Sequence, residues 1–346
     1  MKKIFITLIA FMILSPMVMK GQGCMEPKSD DGVSVIGYIQ PSWKIDQADG
    51  KYTNSFYFQR ARMGVTGSIP YDFTYYVLAE FSPYIGGPYL LDAFITWKRL
   101  GPWANITVGQ FKMPFGLELS TPCQSLHTID RSLVVNELAS PFRDLGVMIY
   151  GGAKFNKEFE MLQWKIAFTN GTGMNKIDNN RRKDFTGRLI VSPFSWLHVG
   201  GSYKYGSVLA DNNSDKLTRF GVELSVEKFN FLLQGEYIGG MDDGFKLEGG
   251  GCGEEPTITP IEGDIKKNGY YAMLLYKTPW NVQPVVKFQS YEPDTEVDDN
   301  IKNSTTLGIN YFFNEWTRLQ LNYVINDFSG NDKPNNKFIA QLQVIF

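Results

Sequence analysis

Apolar and polar side chains alternate with a period of two along most of this chain. Between Ser55 and Ile69 one parity holds Tyr57, Ala61, Met63, Val65 and Ile69, and the other holds Phe58, Arg60, Arg62, Gly64 and Thr66. Phe73, Tyr75, Val77, Ala79 and Phe81 alternate in the same way with Asp72, Thr74, Tyr76, Leu78 and Glu80. Leu91, Ala93, Ile95 and Trp97 alternate with Asp92, Phe94, Thr96 and Lys98. The rhythm returns at Leu197–Tyr205 and Arg318–Asn326, and it runs to the last residue, Phe346. Such alternation marks strands with one apolar and one polar face. About sixteen such segments of roughly ten residues suit tilted strands that cross a bilayer. The pattern predicts an all-β fold, a transmembrane antiparallel β-barrel of about 16 strands.

The connections alternate in length. Short ones fall near Pro70, Gly101–Pro102, Asn156–Lys157, Pro193, Lys228, Thr278–Pro279 and Asn314–Glu315. Longer ones are expected over 45–54, 82–89, 112–142, 170–182, 206–216, 239–268, 291–302 and 327–336. Short periplasmic turns alternating with longer outside loops are the asymmetry of a membrane barrel. Aromatic residues flank the short turns: Tyr71 and Phe73, Trp97 and Trp103, Phe155 and Phe159, Phe194 and Trp196, then Trp280, Phe313 and Trp316. Amphipathic rings prefer the headgroup level, so this series reads as an interfacial girdle. Packing at hairpin ends is the plainer account of any one of them.

Lys2 and Lys3 precede an apolar run from Ile4 to about Met19, followed by Gly21 and Gly23. Residues 1–23 therefore read as a Sec signal peptide and 24–346 as the barrel. A membrane anchor is the competing reading, but the run is short for one and is closed by Pro16 and Lys20. Cleavage would remove three lysines and make the net charge of −2 more negative by three. A mildly acidic chain argues against nucleic acid as a partner. Cys24 follows the signal directly, but Gly21 stands where a lipoprotein signal carries an aliphatic residue. Cys123 and Cys252 fit an oxidising compartment, and their pairing stays open.

With apolar faces toward lipid, the lumen receives Arg60, Arg62, Lys98, Arg188, Lys204, Arg219, Lys287, Arg318 and Lys337. The acids Glu80, Asp92, Asp184, Glu223 and Glu236 share that face. Arg60 and Arg62 rise side by side, roughly 7 Å apart. They form either a rung that attracts anions or a rung neutralised by Glu80 or Asp92. Loop 112–142, with His127 and Arg131 and with Arg143 just past its end, is too long for a simple hairpin. It either folds into the barrel and narrows it or is displayed at the surface. The two histidines, His127 and His198, sit apart, no cluster has metal-ligand spacing, and Gly171-Thr172-Gly173 lacks the rest of a nucleotide fingerprint. The reading is of no enzyme, no cofactor and no metal.

Phe58-Gln59-Arg60-Ala61-Arg62-Met63-Gly64-Val65-Thr66-Gly67 resembles the F-x-R-A-R-x-G-x-x-G strand of the phosphate-selective porin O and P family. Asp92-Ala93-Phe94-Ile95, then Val108 to Glu118, resemble the landmarks that follow it. Ile129-Asp130-Arg131-Ser132, Arg143-Asp144-Leu145-Gly146-Val147 and Phe168-Thr169-Asn170-Gly171 keep the family's order. The terminal Phe346 is similar to the aromatic end read by barrel assembly machinery. The resemblance implies sixteen strands, a homotrimer, a third outside loop (about 112–142) folded inward to constrict the pore, and an anion path lined by arginines. It carries that role to Arg60, Arg62, Arg131 and Arg143. Lys98, Arg188, Lys204 and Arg219 are further lumen candidates. The long loops are richer in Asp, Asn and Gly than in Lys, which departs from a phosphate-selective pore.

Two functions follow as expectations. One is an outer-membrane porin of a Gram-negative bacterium that passes small hydrophilic solutes with a preference for anions, phosphate among them. The other is a narrow barrel that binds a ligand or partner through acidic loops 239–268 and 291–302. Those loops carry Asp242, Asp243, Glu254, Glu255, Asp294, Glu296, Asp298 and Asp299, suited to divalent cations or to lipopolysaccharide bridged by them. Outer-membrane lipid and lipopolysaccharide are the expected surroundings.

Overall fold

The computed structural model describes residues 32–48, 51–69, 72–154, 159–210, 215–250, 256–329 and 336–346. The expected signal peptide, Cys24, Pro70, Tyr71, Phe155–Lys157, Cys252, Glu254 and Glu255 lie outside them.

Among the described residues sixteen strands follow one another: β1 (Val33–Ala48), β2 (Lys51–Ile69), β3 (Phe73–Glu80), β4 (Tyr89–Trp97), β5 (Asn105–Lys112), β6 (Arg143–Ala153), β7 (Leu162–Thr169) and β8 (Asp184–Phe194). Then come β9 (Leu197–Gly206), β10 (Lys216–Lys228), β11 (Phe231–Glu248), β12 (Thr257–Tyr276), β13 (Val282–Glu292), β14 (Lys302–Phe312), β15 (Thr317–Phe328) and β16 (Asn336–Ile345). Each pairs antiparallel with its sequence neighbours, and β1 pairs with β16 to close the barrel. Closure satisfies every strand edge, which a sheet in hydrocarbon requires. At the seam Tyr38 stands opposite Ile345. Gly37 and Phe346 exchange backbone hydrogen bonds of 2.9 and 3.0 Å beyond it. A Cβ at Gly37 would lie 2.7 Å from the Phe346 ring, so the seam needs glycine there.

The strand faces follow the alternation. Met63, Tyr203, Tyr205 and Leu342 are exposed on the outside, and their neighbours Arg62, Ser202, Lys204, Gln341 and Gln343 are buried within. Exposed Trp103, Phe194, Trp280, Phe313 and Trp316 mark the end with the short turns. Of the four register shifts among the described strands, two exchange faces expected from the alternation. Gln40 faces Arg60 but Pro41 faces Phe58, so Gln59 is an extra residue on β2. Proline cannot donate to the ladder and is tolerated at such a break. Beyond it the faces exchange: Phe58, expected inside, is 46% exposed, and Tyr57 lies opposite the buried Ser42. Likewise Leu78 faces Asp92 while Ala79 faces Leu90, which leaves Leu91 as the extra residue. Leu91, expected toward lipid, is fully buried against Ile36 and Leu78.

Two of the expected long loops are largely strand. β1 and β2 run on through 45–48 and 51–54, and β11 and β12 fill most of 239–268. Residues 51–56 of β2 and nearly all of 257–264 of β12 are open to water, so the apolar-polar alternation that marks a strand fades there. The inner wall also departs from a polar lumen. Ile238, Tyr271, Met273, Leu275 and Val285 of β11–β13 are buried in one apolar cluster with loop residues Phe115, Leu119, Val134, Val135 and Leu138.

Candidate functional site

The segment between β5 and β6 carries two short helices, α1 (Leu117–Ser120) and α2 (Leu133–Leu138). A hydrogen bond from Met113 N to Phe142 O, 2.9 Å, closes its neck. Its apolar side needs cover, and the wall of β11–β13 supplies it. Val134, Val135 and Leu138 are wholly buried, and each stabilises docking by ~1.5–3 kcal/mol.

Polar side chains of the inner wall bind the rest of the segment. Arg318 Nη2 donates to Gln124 O at 2.7 Å, and Gln343 Nε2 donates to the same carbonyl at 3.2 Å. Asn310 Nδ2 reaches His127 O at 2.9 Å, and Asn322 Oδ1 accepts from Ile129 N at 2.7 Å. Lys287 Nζ donates to Thr128 Oγ1 (2.8 Å), Asp130 O (2.9 Å) and Glu118 Oε1 (3.3 Å). Gln289 Oε1 accepts from Leu133 N, and Arg219 Nε donates to Leu138 O. The segment thus lies inside the barrel, fastened to inward side chains of β10 and β13–β16.

Of the four family-matched arginines, Arg62 and Arg131 bond the segment, Arg143 follows its end, and Arg60 bonds Gln40 on the wall. Arg62 Nε donates to Glu80 Oε2 at 2.7 Å, and Arg62 Nη1 donates to Tyr38 Oη and Cys123 Sγ. Arg60 Nη1 donates to Gln40 Oε1 at 2.9 Å. Arg143 grips Asp92 through two bonds of 3.0 and 3.1 Å. Arg131 is turned into its own loop: it donates to the carbonyls of Glu118 and Thr121 and to Cys123 Sγ, and so staples α1 in place. Of the two acids weighed for the Arg60–Arg62 rung, Glu80 holds Arg62, whereas Asp92 holds Arg143 instead.

Three further candidates sit in ion pairs, two between neighbouring strands and one, from Arg188 of β8 to Glu223 of β10, reaching over β9. Arg188 meets Glu223, Arg219 meets Asp242, and Lys204 lies 3.7 Å from Asp184. Asp242 also holds Lys267 at 2.6 Å and is fully buried, so it is no surface ligand of an acidic loop. Lys98 is half-buried in the wall near the short turns. On the segment itself, burial and the nearby Arg318 guanidinium hold the His127 imidazole down at about 4. Among the described residues no three His, Cys, Asp or Glu side chains converge on a metal position.

Space remains beside the segment, on the side of β2–β7. Arg62, Lys98, Lys112, Arg143 and Lys165 line it, and among the described residues its one acidic lining side chain is Asp92. A second space, on the side of β13–β16, is bordered by Asp130, Arg131, Lys287 and Lys337.

The sequence profile of the phosphate-selective porin O and P family matches residues 38–230. This chain belongs to that family. Porin O of Pseudomonas aeruginosa is 22% identical over 95% of this chain and 92% of its own length. Among solved structures, an anion-selective porin from Comamonas acidovorans shares the fold with a TM-score of 0.70. It is 11% identical, and the match covers 91% of this chain and 99% of that one. The outer membrane channel DcaP of Acinetobacter baumannii gives a TM-score of 0.63 at 11% identity, over 94% of this chain and 100% of that one. Family and fold are those of an outer-membrane porin, a channel, and place the chain in the outer membrane of a Gram-negative bacterium.

Some functional residues were missed in the sequence. Lys165 shares its parity with Gln163, Ala167 and Thr169, opposite Leu162, Trp164, Ile166 and Phe168, so alternation alone places it inside. The amides Asn310, Gln320, Asn322, Gln341 and Gln343 had the same signal, but nothing in the sequence says that a loop backbone is what several of them bind.

Proposed function

We propose that this porin passes small hydrophilic solutes by passive diffusion, with a preference for anions, and that the segment 113–142 sets the width of its pore. The observation that carries the reading is the lining of the space beside that segment: five cationic side chains against one carboxylate among the described residues. In a narrow channel with low-dielectric walls such an excess raises the local concentration of anions and opposes cations. Arg60, Arg62 and Arg143 contribute to that field from the wall, and Arg131 contributes from within the segment. Lys98 lines the same space, whereas the ion-paired Arg188, Lys204 and Arg219 stiffen the wall.

A homotrimer in outer-membrane lipid, beside lipopolysaccharide and after insertion by barrel assembly machinery, is the assembly consistent with the family. A trimer form is described for the similarly folded OmpT of Vibrio cholerae (TM-score 0.62, 12% identity, 91% of this chain and 100% of that one). An N-terminal signal peptide, read at residues 1–23, would deliver the chain to the periplasm.

Reversal potentials in planar bilayers under a salt gradient test the proposal, first with chloride and then with phosphate. An anion-side potential that weakens when Arg60 and Arg62 are both replaced by Ala supports it. A cation-side potential in the native protein overturns the selectivity. Phosphate flux no greater than that of chloride narrows the reading to a general anion pore.

A further inference from the structure

The space on the side of β13–β16 differs in chemistry from the one on the side of β2–β7. Gln289 of β13, Ser304 of β14 and Asn326 of β15 are register partners in turn, so they form one row across three strands. Two residues toward the short turns, Lys287, Thr306, Val324 and Lys337 form a second row on the same face. Both rows line the space. Neighbouring strands lie about 4.8 Å apart, so the first row covers roughly 10 Å of wall. Phe328, two residues beyond Asn326 on β15, borders the outer end.

Most charges at this space are already engaged. Lys287 is held by Glu118 Oε1, Thr128 Oγ1 and Asp130 O. Arg131 turns into the carbonyls of its own loop, and Asp130 Oδ1 accepts from Gln59 Nε2 at 3.1 Å. Uncharged groups are left to meet a solute. Gln289 Oε1 is taken by Leu133 N at 2.9 Å, so its NH2 is the part that can serve one. Ser304 is 2% exposed, and its Oγ has no hydrogen-bond partner among the described residues. A buried hydroxyl left unpaired is destabilising, and a solute that bonds to it removes the penalty. A carboxylate can only accept, whereas the Ser304 and Thr306 hydroxyls both donate and accept. A sugar matches them, with a rim of hydroxyls that do the same and an apolar C–H face suited to an aromatic ring.

We propose that this space is a binding subsite for neutral mono- and disaccharides. Sugar hydroxyls bond to Gln289 Nε2, Ser304 Oγ and Thr306 Oγ1, and the C–H face of the ring lies toward Phe328. The subsite goes beyond the anion preference, which rests on the other space.

The test uses the full-length protein in planar bilayers, with chloride carrying the current and trehalose as the probe. Trehalose is expected to lower the conductance along a saturating curve with its midpoint at about 10 mM, weak enough for the solute to leave again. A polyethylene glycol of the same hydrodynamic radius should lower it only in proportion to concentration, without saturation. Ser304→Ala combined with Thr306→Val removes two hydrogen bonds and should raise the trehalose midpoint about tenfold. The reversal potential under a salt gradient should stay as in the native protein, since neither hydroxyl carries charge. Lys337→Gln should leave the trehalose midpoint where it is. A trehalose effect that does not saturate overturns the subsite, as does an unmoved midpoint in the double variant. A midpoint lost in Lys337→Gln overturns it too, because a charge and not the hydroxyl row would then hold the solute. If the protein carries no current, equilibrium dialysis of radiolabelled trehalose against detergent-solubilised protein decides. Saturable binding weakened in the double variant supports the subsite, and no binding overturns it.

Discussion

Arg62 on β2 and Glu80 on β3 are register partners, and Arg62 Nε donates to Glu80 Oε2 at 2.7 Å with both side chains shut off from solvent. Glu80 does more than neutralise the arginine. Its Oε1 also accepts from the backbone amides of Ala61 and Ser82, at 2.8 and 3.0 Å, where the chain leaves β3 for the outside loop. The pair therefore sets a charge balance in the lumen and also anchors the end of a strand.

Replacing Glu80 by Gln separates these roles, because an amide oxygen still accepts a hydrogen bond but carries no charge. Glu80→Gln should raise the anion-to-cation permeability ratio by about two- to threefold, as the Arg62 field is no longer cancelled. Reversal potentials measure this, and an unchanged ratio would mean that permeant ions do not sense Arg62. Arg62→Ala should do the opposite and also destabilise the barrel by about 3–5 kcal/mol, since a buried carboxylate loses its partner.

Lys287 joins β13 to the loop at Thr128, Asp130 and Glu118. Lys287→Met keeps the length of the side chain and removes all three bonds. Single-channel conductance should rise by about twofold, with more open-channel noise, if the segment sets the pore width as proposed, because it loses a tether. An identical conductance would show that the segment does not set the width of the pore.

Gly37 allows the seam between β1 and β16 to close against Phe346. Gly37→Val puts side-chain carbon where the Phe346 ring and the Arg62 carbonyl oxygen already lie. The folded, heat-modifiable form on unboiled gels should be largely lost. Gly201→Ala is the control, since the nearest atom to its added Cβ is the Gly221 carbonyl oxygen, at 3.8 Å.

Much of this was legible in the sequence, for physical reasons that also explain the failures. Met63 and Arg62, or Tyr203 and Lys204, betray their faces because lipid and lumen impose opposite demands on adjacent residues. Phe58 and Leu91 were misplaced because one extra residue reverses the parity, and a bulge leaves no periodic trace of its own. The strand ends in 239–268 read as loop because water reaches nearly every residue of β12 from Thr257 to Asp264, and because the cluster that buries Phe245 and Leu247 of β11 leaves no periodic trace. The run Tyr270–Tyr276, apolar at almost every position, is what a strand covered on both sides looks like. The partner on its inner side, the helix Leu133–Leu138, is distant in sequence and could not be paired with it by periodicity. Arg131 sits in a family motif, yet its direction depends on the carbonyls of Glu118 and Thr121, which only the folded loop brings together.

His127 makes the docking of the loop sensitive to acid. It lies on the loop itself, and its Nδ1 is buried with no hydrogen-bond partner among the described residues. Burial, then the positive charge of Arg318, hold its pKa at about 4 rather than 6.5. Above pH 6.5 the imidazole is neutral whether the loop is docked or free, so docking does not vary with pH there. As pH falls from 6.5 toward 4, a released loop takes up a proton that the docked loop resists, and docking weakens through that window. Conductance should therefore climb between pH 6.5 and 4 in bilayers held at constant salt. His127→Asn, which cannot titrate, should flatten the climb and leave conductance at neutral pH close to that of the native protein. A climb that persists in His127→Asn would move the acid response to the carboxylates of the wall.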